Sequence, residues 1–210
     1  MRKARQDELP ALAALMFDQF YEKEELQQQF SGVDMETARR IGPTILSLGQ
    51  DYFLEHGDVF VCETADGAFT GALVGTDPCR RAPLGPLAQI IYLLRRGRAL
   101  RGIPKRLLAQ LTRNSRPVMA VHSMNWYRRY CDRPYYIAQF AVAKAHRGTG
   151  VARELMDGAL ARAAALGCRA VVLETFSREN VPLYLHFGFQ LKQVHTCGAF
   201  TEYRLLKPLE

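Results

Sequence analysis

Apolar residues recur at helical spacing over one long stretch, and this is the clearest periodic pattern in the chain. Its members are three or four positions apart, as on the buried face of an α-helix: Ala152, Leu155, Met156, Ala159, Leu160, Ala163 and Leu166. Gly167 follows, where glycine commonly ends a helix. The preceding residues, 135–143, are rich in aromatic and β-branched types and favour a strand. The pattern therefore predicts a strand, a turn and a helix.

The first part of the chain shows weaker patterns. Residues 1–5 are predicted to form a short strand, and a helix with one apolar face begins at Asp7. Asp34 is in position to cap a second helix. Gly42-Pro43 is expected to interrupt that helix, because proline lacks the N–H that a helix interior uses. A further helix is predicted over 44–53.

Other β-prone runs predict the rest of a sheet. Residues 58–64 and 69–74 are joined by Ala-Asp-Gly, which is typical of a hairpin. A strand over 169–176 follows the long helix, so that the two strands flanking this helix form a β-α-β unit with a right-handed crossover. The last two strands are predicted to begin at Phe187 and to cover 199–206.

The connection between the hairpin and the next strand is unusually long. Asp77-Pro78 ends the hairpin. Helical patterns then cover 84–94 and 103–112, the second behind Pro104. Because connections in compact domains are mostly short, we expect a helical insertion at about 78–133.

Length and composition suit one domain over residues 1–210, since 210 residues with 48% hydrophobic and 23% charged positions can build a sizeable core. The first residues lack an apolar run behind their charges, so no secretory signal is expected. The most apolar segment, 84–94, is broken by Pro86 and Gln89 and is too short for a transmembrane segment. Five scattered cysteines without a Cys-x-x-Cys pair argue against disulfides or a zinc site. We therefore expect no metal and a cytoplasmic location.

Positive charge is concentrated in the insertion. Between Pro78 and Cys131 there are twelve basic residues, mostly arginines within 80–129, and no Asp or Glu. The remainder of the chain has 16 basic against 21 acidic residues. Three interpretations remain open: a solvated face, attraction of an anionic cofactor or acidic acceptor, or a surface for nucleic acid or anionic lipid. Nothing in the pattern points strongly to nucleic acid.

Two glycines, Gly148 and Gly150, lie over the first turn of the long helix. The free N–H groups and the positive dipole end of a helix attract anions, and a side chain at either glycine would hold a phosphate away from the backbone. The alternative is that they only form a tight turn. The spacing matches neither a Walker loop nor a full dinucleotide-binding fingerprint.

The segment Arg147-x-x-Gly150-x-Ala152 resembles the acetyl-CoA pyrophosphate loop of the GCN5-related N-acetyltransferases (GNAT). The segment 180–189, with its Asn, Tyr and Gly-Phe, is similar to that family's second signature. The resemblance spans about residues 135–207. It implies an α/β (α+β) fold: a mixed, mostly antiparallel twisted sheet flanked by helices, here with the helical basic insertion between strands 3 and 4.

The resemblance also implies a binding site for acetyl-CoA as the acyl donor. Strand 169–176 would splay from strand 135–143, and the gap would admit the pantetheine arm. Backbone N–H groups near Phe140 and Val142 would bind this arm, and Asn180 would contact it or cap the next helix. The pyrophosphate would be held by Arg147, Gly148, Thr149, Gly150, Val151 and Ala152.

The same resemblance assigns Tyr184 as the general acid that protonates the CoA sulfur. Some family members use a glutamate early on the cofactor strand. In this chain Tyr136 lies near the equivalent position, so no carboxylate is available there. The proton acceptor is therefore left open. The candidates are Glu174, His122 or Asp132 acting through water, and we take Glu174 as the second catalytic residue. Direct attack by an amine that is already neutral is the other alternative. Four aromatic residues of the acceptor region either contact the substrate or pack in the core: Phe20, Tyr21, Phe30 and Tyr52.

These features predict an N-acetyltransferase that transfers an acetyl group to a primary amine of a small molecule or protein in a ternary complex. A homodimer is a further arrangement that the resemblance leaves open. The alternative function is a non-catalytic CoA- or anion-binding module whose arginine-rich insertion binds nucleic acid or anionic membrane.

Overall fold

The computed structural model describes residues 1–79, 94, 96–123 and 125–209. In this part of the chain seven strands form one sheet in the order β1-β2-β3-β4-β5-β7-β6. Their bounds are β1 Arg2–Lys3, β2 Asp58–Glu63, β3 Phe69–Thr76, β4 Pro134–Val142, β5 Ala170–Thr175, β6 Gln190–Cys197 and β7 Phe200–Pro208. Only β4 and β5 pair in parallel; the other neighbours are antiparallel. The predicted mixed, mostly antiparallel sheet is confirmed.

Helices cover both faces of this sheet. Their bounds are α1 Leu9–Phe20, α2 Glu24–Gln29, α3 Met35–His56, α4 Lys105–Asn114, α5 Arg116–Val121, α6 Val151–Ala165 and α7 Val181–His186. Buried Leu155 of α6 belongs to the same core cluster as Phe60, and Leu12 of α1 to the same cluster as Val59. Phe60 and Val59 are neighbours on β2 and point to opposite faces, as the two-residue period of a strand requires.

The two helices predicted around Gly42-Pro43 are one helix, which is a correction. α3 runs without a break from Met35 to His56 and includes Pro43. Tertiary packing explains the difference, because Gly42 lies against the ring of Phe17 and a Cβ there would be 2.0 Å from that ring. The buried contact between α1 and α3 keeps the helix continuous despite the missing N–H. Asp34 caps α3 as predicted, since its Oδ1 accepts from the Thr37 N–H at 2.8 Å.

The insertion between β3 and β4 is helical where it is described. Residues 96–99 are helical, α4 covers the predicted 103–112 segment, and α5 forms where no element was predicted. Ile103 and Leu111 share a buried cluster with Phe30. The predicted helix at 84–94 falls outside the described residues except for Leu94, as do Arg80, Arg81 and Arg95. None of the described helices combines the length and the apolar character needed to cross a membrane.

β4 and β5 diverge after a short parallel contact. They pair only at Pro134–Tyr136 with 170–172, while β4 continues to Val142 along β3. Backbone groups on the other edge of β4 beyond Tyr136 therefore face a gap rather than a strand.

Candidate active site

The gap beside β4 opens into a cavity of about 470 Å³, which we call the loop cavity. β4, the glycine turn, the first turn of α6, and α7 surround it. Residues from the end of α1 close the opposite wall. The side chains and backbone that line it include Gln19, Phe20, Lys23, Phe140, Val142, His146, Arg147, Gly148, Gly150, Ala152, Arg153, Asn180, Tyr184 and His186.

The glycine turn forms an open cradle at the start of α6. Gly148 and Gly150 have φ angles of +80° and +93°, in the left-handed region that glycine adopts without strain. Among the residues that the structure describes, none has an atom within 4 Å of a Cβ at either position, so they leave the space above the turn open. The N-cap residue of α6 is Gly150, which has no side chain that could cap the helix. The N–H groups of its first turn are therefore available to an anion.

The charge of the loop cavity matches an anionic ligand. Lys23, Arg147 and Arg153 line it together with two histidines, whereas no Asp or Glu does so among the described residues. Arg147 Nη2 also donates to Gln19 Oε1 at 3.1 Å. This contact ties the glycine turn to the end of α1 across the cavity.

Eight of the nine predicted cofactor-binding residues lie on β4, on the glycine turn or at the start of α6. Phe140, Val142, Arg147, Gly148, Gly150 and Ala152 line the loop cavity. The side chains of the remaining two turn elsewhere: Thr149 Oγ1 donates to the His146 carbonyl at 2.8 Å, and Val151 packs on the core beneath α6. These two contribute to the turn through their backbone.

The ninth, Asn180, lines the cavity but does not cap α7 with its side chain. It occupies the N-cap position with a helical backbone conformation and makes no side-chain cap bond. Its Nδ2 instead donates to Thr175 Oγ1 at 3.3 Å. The prediction that the Asn180 side chain caps the helix is therefore wrong. The end of β5 lies close enough for Thr175 to accept the hydrogen bond from the Asn180 amide.

Tyr184 stands between the loop cavity and a second cavity. Its ring packs against Phe140 and Phe189, with centroids 6.4 and 6.0 Å apart. Burial raises the pKa of its hydroxyl. This hydroxyl has no hydrogen-bond partner in the described part of the chain. A neutral O–H donor is therefore held where the two cavities meet.

The second cavity, of about 300 Å³, we call the carboxylate cavity. It shares Phe20, Lys23, Phe140, Asn180 and Tyr184 with the loop cavity. Its other polar lining residues are Glu25, His122, Tyr136, Gln139, Glu174 and Thr175. Burial raises the pKa of Glu25 and of Glu174. Burial favours the neutral form of these two carboxyls, and with His122 they offer hydrogen-bonding groups that suit a polar amine.

Glu174 is held by neighbours on three sides. Tyr136 donates to its Oε1 at 2.5 Å, and Trp126 Nε1 donates to its Oε2 at 3.1 Å. His122 Nδ1 lies 3.6 Å from Oε1. The structure thus brings two of the candidate proton acceptors, Glu174 and His122, to one place.

Asp132 is not part of this group. It is 70% exposed and pairs with Arg169 at 3.4 Å, in a separate depression beside the start of β5. Of the four aromatic candidates, Phe20 lines both cavities. Tyr21 and Phe30 pack with each other and with Phe17, and the side chain of Tyr52 is outside the described residues.

The sequence reasoning missed two buried charged residues behind His122. Glu202 Oε1 is 2.7 Å from His122 Nδ1, and Arg204 Nε is 2.6 Å from Glu202 Oε2. A signal was present, since opposite charges two positions apart share one face of the last predicted strand. The ligand atoms of His122, Glu174 and Glu202 all lie within 4.8 Å of one another.

Comparison with known proteins identifies the fold of the chain and a family match for residues 101–189. Residues 101–189 match the sequence model of the acetyltransferase (GNAT) family. An acetyltransferase from Corynebacterium glutamicum, described as a histone acetyltransferase HPA2 and related acetyltransferase, superposes with a TM-score of 0.63 at 16% identity. The alignment covers 99% of this chain and 94% of that chain.

Two insect enzymes are similar to the chain in the same way. The polyamine N-acetyltransferase of Drosophila melanogaster superposes with a TM-score of 0.60 at 16% identity, covering 99% of this chain and 98% of that chain. Arylalkylamine N-acetyltransferase 2 from Aedes aegypti has a TM-score of 0.63 at 11% identity, with coverages of 100% and 98%. At these identities the likeness shows the fold.

The matched segment belongs to the GNAT acetyltransferase family, and the whole chain has the fold of this family's acyltransferases. The family predicted from the two sequence motifs is thereby confirmed.

Proposed function

We propose that the protein is an acetyl-CoA-dependent N-acetyltransferase for primary amines. The observation that carries the proposal is the junction of two cavities of opposite character at Tyr184. The loop cavity is lined by Arg147, Arg153 and the start of α6, and the carboxylate cavity by Glu25 and Glu174, with Lys23 at the wall of both. An anionic acyl donor and a cationic acceptor would meet at this junction.

The loop cavity fits the acyl donor. The empty cradle over Gly148 and Gly150, with the Arg147 side chain beside it, suits a pyrophosphate. The unpaired edge of β4 near Phe140 and Val142 suits the amide groups of the pantetheine arm. Bound acetyl-CoA would supply an activated acetyl thioester.

The carboxylate cavity fits an amine. Carboxylates at its wall would attract an ammonium group, and apolar neighbours such as Leu46 and Phe176 would contact the carbon skeleton. The enzyme from Drosophila melanogaster is described as forming N-acetylagmatine, and the protein from Aedes aegypti as acting on arylalkylamines. Basic amines of these two types are the first acceptors to examine here.

The adjoining cavities favour direct attack of the amine on the thioester in a ternary complex. Tyr184 would donate its proton to the departing sulfur, since its hydroxyl is buried and otherwise unpaired. Glu174 would act at the acceptor side, where its carboxylate would stabilise positive charge on the attacking nitrogen. We also propose a single domain over 1–210, with the 78–133 insertion, and a cytoplasmic setting based on the scattered cysteines.

The proposal is tested by an acceptor screen. Purified protein is mixed with acetyl-CoA and single amines from panels of polyamines, agmatine-like guanidines and arylalkylamines, and the release of free thiol is followed. We expect saturable release with at least one panel and thermal stabilisation by acetyl-CoA. The variant Gly150→Val should weaken that stabilisation, because a side chain would enter the cradle. Salt-dependent binding to DNA or anionic vesicles without any acetyl transfer would favour the non-catalytic alternative.

A further inference from the structure

The carboxylate cavity contains a histidine whose far side is bonded to a fully buried carboxylate. Glu202 has no exposed surface and does not line the cavity. Its Oε1 is 2.7 Å from His122 Nδ1, and its Oε2 accepts from Arg204 Nε at 2.6 Å. Arg204 in turn donates to the Val121 carbonyl at 3.0 Å. Glu202 is thus fixed in place and reaches the cavity only through the His122 ring.

This contact determines which nitrogen of His122 is free. A carboxylate beside Nδ1 favours the tautomer with the hydrogen on Nδ1, which leaves the Nε2 lone pair available. His122 lines the carboxylate cavity, and its Nε2 has no hydrogen bond to any residue that the structure describes. A free imidazole lone pair therefore belongs to the cavity that would hold the amine.

From this geometry we infer that His122 is the proton acceptor for the substrate amine and that Glu202 is the residue that positions it. The inference rests on the proposed acetyltransferase function and deepens it.

Glu174 is less suited to accept the proton. Both of its oxygens already accept hydrogen bonds, from Tyr136 and from Trp126. It lies 3.6 Å from His122 Nδ1 and would stabilise the imidazolium that forms. The same donors, with Arg204 on Glu202, occupy the oxygens that a metal ion would need. The close grouping of these three residues is therefore explained by hydrogen bonds.

The proton and electron balance of the reaction is complete with residues of the two cavities. His122 Nε2 takes one proton from the ammonium group, and the freed lone pair forms the C–N bond to the acetyl carbon. The C–S bond breaks, and its electron pair leaves with sulfur, which takes the proton of the Tyr184 hydroxyl. The second proton of the nitrogen returns to the Tyr184 oxygen, and His122 releases its proton to solvent.

The surroundings of His122 set the direction of its pH dependence. The hydrogen bond to Glu202 raises the pKa of His122, burial lowers it, and the charge of Glu174 raises it. Arg204 opposes these carboxylates, and Tyr136, Tyr184, Lys23 and Glu25 are the other titratable groups of the cavity. The net shift is upward. Because a base must be unprotonated, activity should rise with pH through this raised value.

The test is the pH profile of kcat/KM for wild type and for Glu202→Gln, with an acceptor found in the screen. Loss of the neighbouring charge should move the rising limb to lower pH by about one unit. His122→Ala should lower kcat about 100-fold, and added imidazole should restore part of it. In the His122→Ala background, Glu202→Gln should cause no further loss, because Glu202 acts through the ring.

Several results would overturn the inference. These are an unmoved limb in Glu202→Gln, full additivity of the two substitutions, or no imidazole rescue. Thermal melting and acetyl-CoA affinity are measured for every variant. If Glu202→Gln fails to fold, Glu202→Asp keeps the ion pair with Arg204 and draws the carboxylate back from His122, so it should shift the limb in the same direction.

A second readout separates this inference from the proposed function. NMR titration of the five histidines, with His122→Ala giving the assignment, should show His122 titrating above 6.5 in wild type and lower in Glu202→Gln. A wild-type protein that acetylates no amine overturns both the function and the base. If the wild-type protein turns over normally but His122 titrates at the same pH in wild type and in Glu202→Gln, only the pairing of His122 with Glu202 is overturned.

Discussion

Tyr184 is the residue at which the two cavities join, and its role can be tested by removing a single oxygen. Tyr184→Phe keeps the ring packed between Phe140 and Phe189 and deletes the hydroxyl, which has no other partner among the described residues. We expect kcat to fall by about 100-fold with little change in KM, because proton donation to sulfur acts only in the transition state. Steady-state kinetics with an identified acceptor measures this.

The matched control for that substitution is Tyr130→Phe, at an exposed tyrosine that lines neither cavity. It should leave kcat and the melting temperature unchanged. Unaltered turnover in Tyr184→Phe, at saturating concentrations of both substrates, would show that another group protonates the sulfur.

At the scale of elements, the continuity of α3 depends on the absence of a side chain at one position. A Cβ at Gly42 would lie 2.0 Å from the ring of Phe17, which is 2% exposed and has no room to move. In a helix interior Ala is favoured over Gly by about 1 kcal/mol, whereas overpacking a core costs about 1–3 kcal/mol. We therefore expect Gly42→Ala to lower the free energy of unfolding, as measured by urea denaturation.

Gly97→Ala provides the comparison within the same chain. Gly97 lies in the exposed helical segment 96–99, and a Cβ there would meet no atom of the described residues within 4 Å. This substitution should be neutral or stabilising by up to about 1 kcal/mol. Equal effects of the two substitutions would mean that α1 and α3 are not in close contact.

At the scale of the whole molecule, Asp58 of β2 connects two other strands and a helix that are far apart in sequence. It is 3% exposed, and its carboxylate contacts Lys3 of β1 at 2.6 Å, Arg162 of α6 at 3.0 Å and the Tyr135 hydroxyl of β4 at 3.3 Å. Because both cations are partly exposed, removing the charge lets them hydrate. We therefore expect Asp58→Asn to lower the free energy of unfolding by about 1–3 kcal/mol, less than a fully buried pair would cost.

The pH dependence of this contribution follows from the direction of the shift. Although burial opposes it, Lys3 and Arg162 hold the pKa of Asp58 below its ordinary value. Its stabilisation is therefore complete above the unfolded pKa of about 3.9 and is lost as pH falls through the lower folded value. The free energy of unfolding, measured by urea denaturation at several pH values between 7 and 2, should fall less with decreasing pH in Asp58→Asn than in wild type. Asp132→Asn, in a pair with both members 70% exposed, should change little.

Much of the fold was predictable because its signals are local. The periodicity of residues 152–166 determined α6, the short β-prone runs determined the hairpin and β5, and the long connection with helical patterns predicted the insertion. The glycine turn and the 180–189 segment likewise carried the family. Each of these depends on side chains that are close in sequence, where helix and strand periods express themselves directly.

Other features were decided only by tertiary structure. α3 continues through Pro43 because α1 packs against it, and Asn180 turns to Thr175 rather than capping its own helix. His122 and Glu202 are 80 positions apart, and no local pattern relates them. The sequence by itself determined most of the elements and supplied the two motifs that carry the family resemblance. Packing between distant segments determined where the cavities meet and which carboxylate contacts His122, because such contacts depend on how the sheet and its helices assemble.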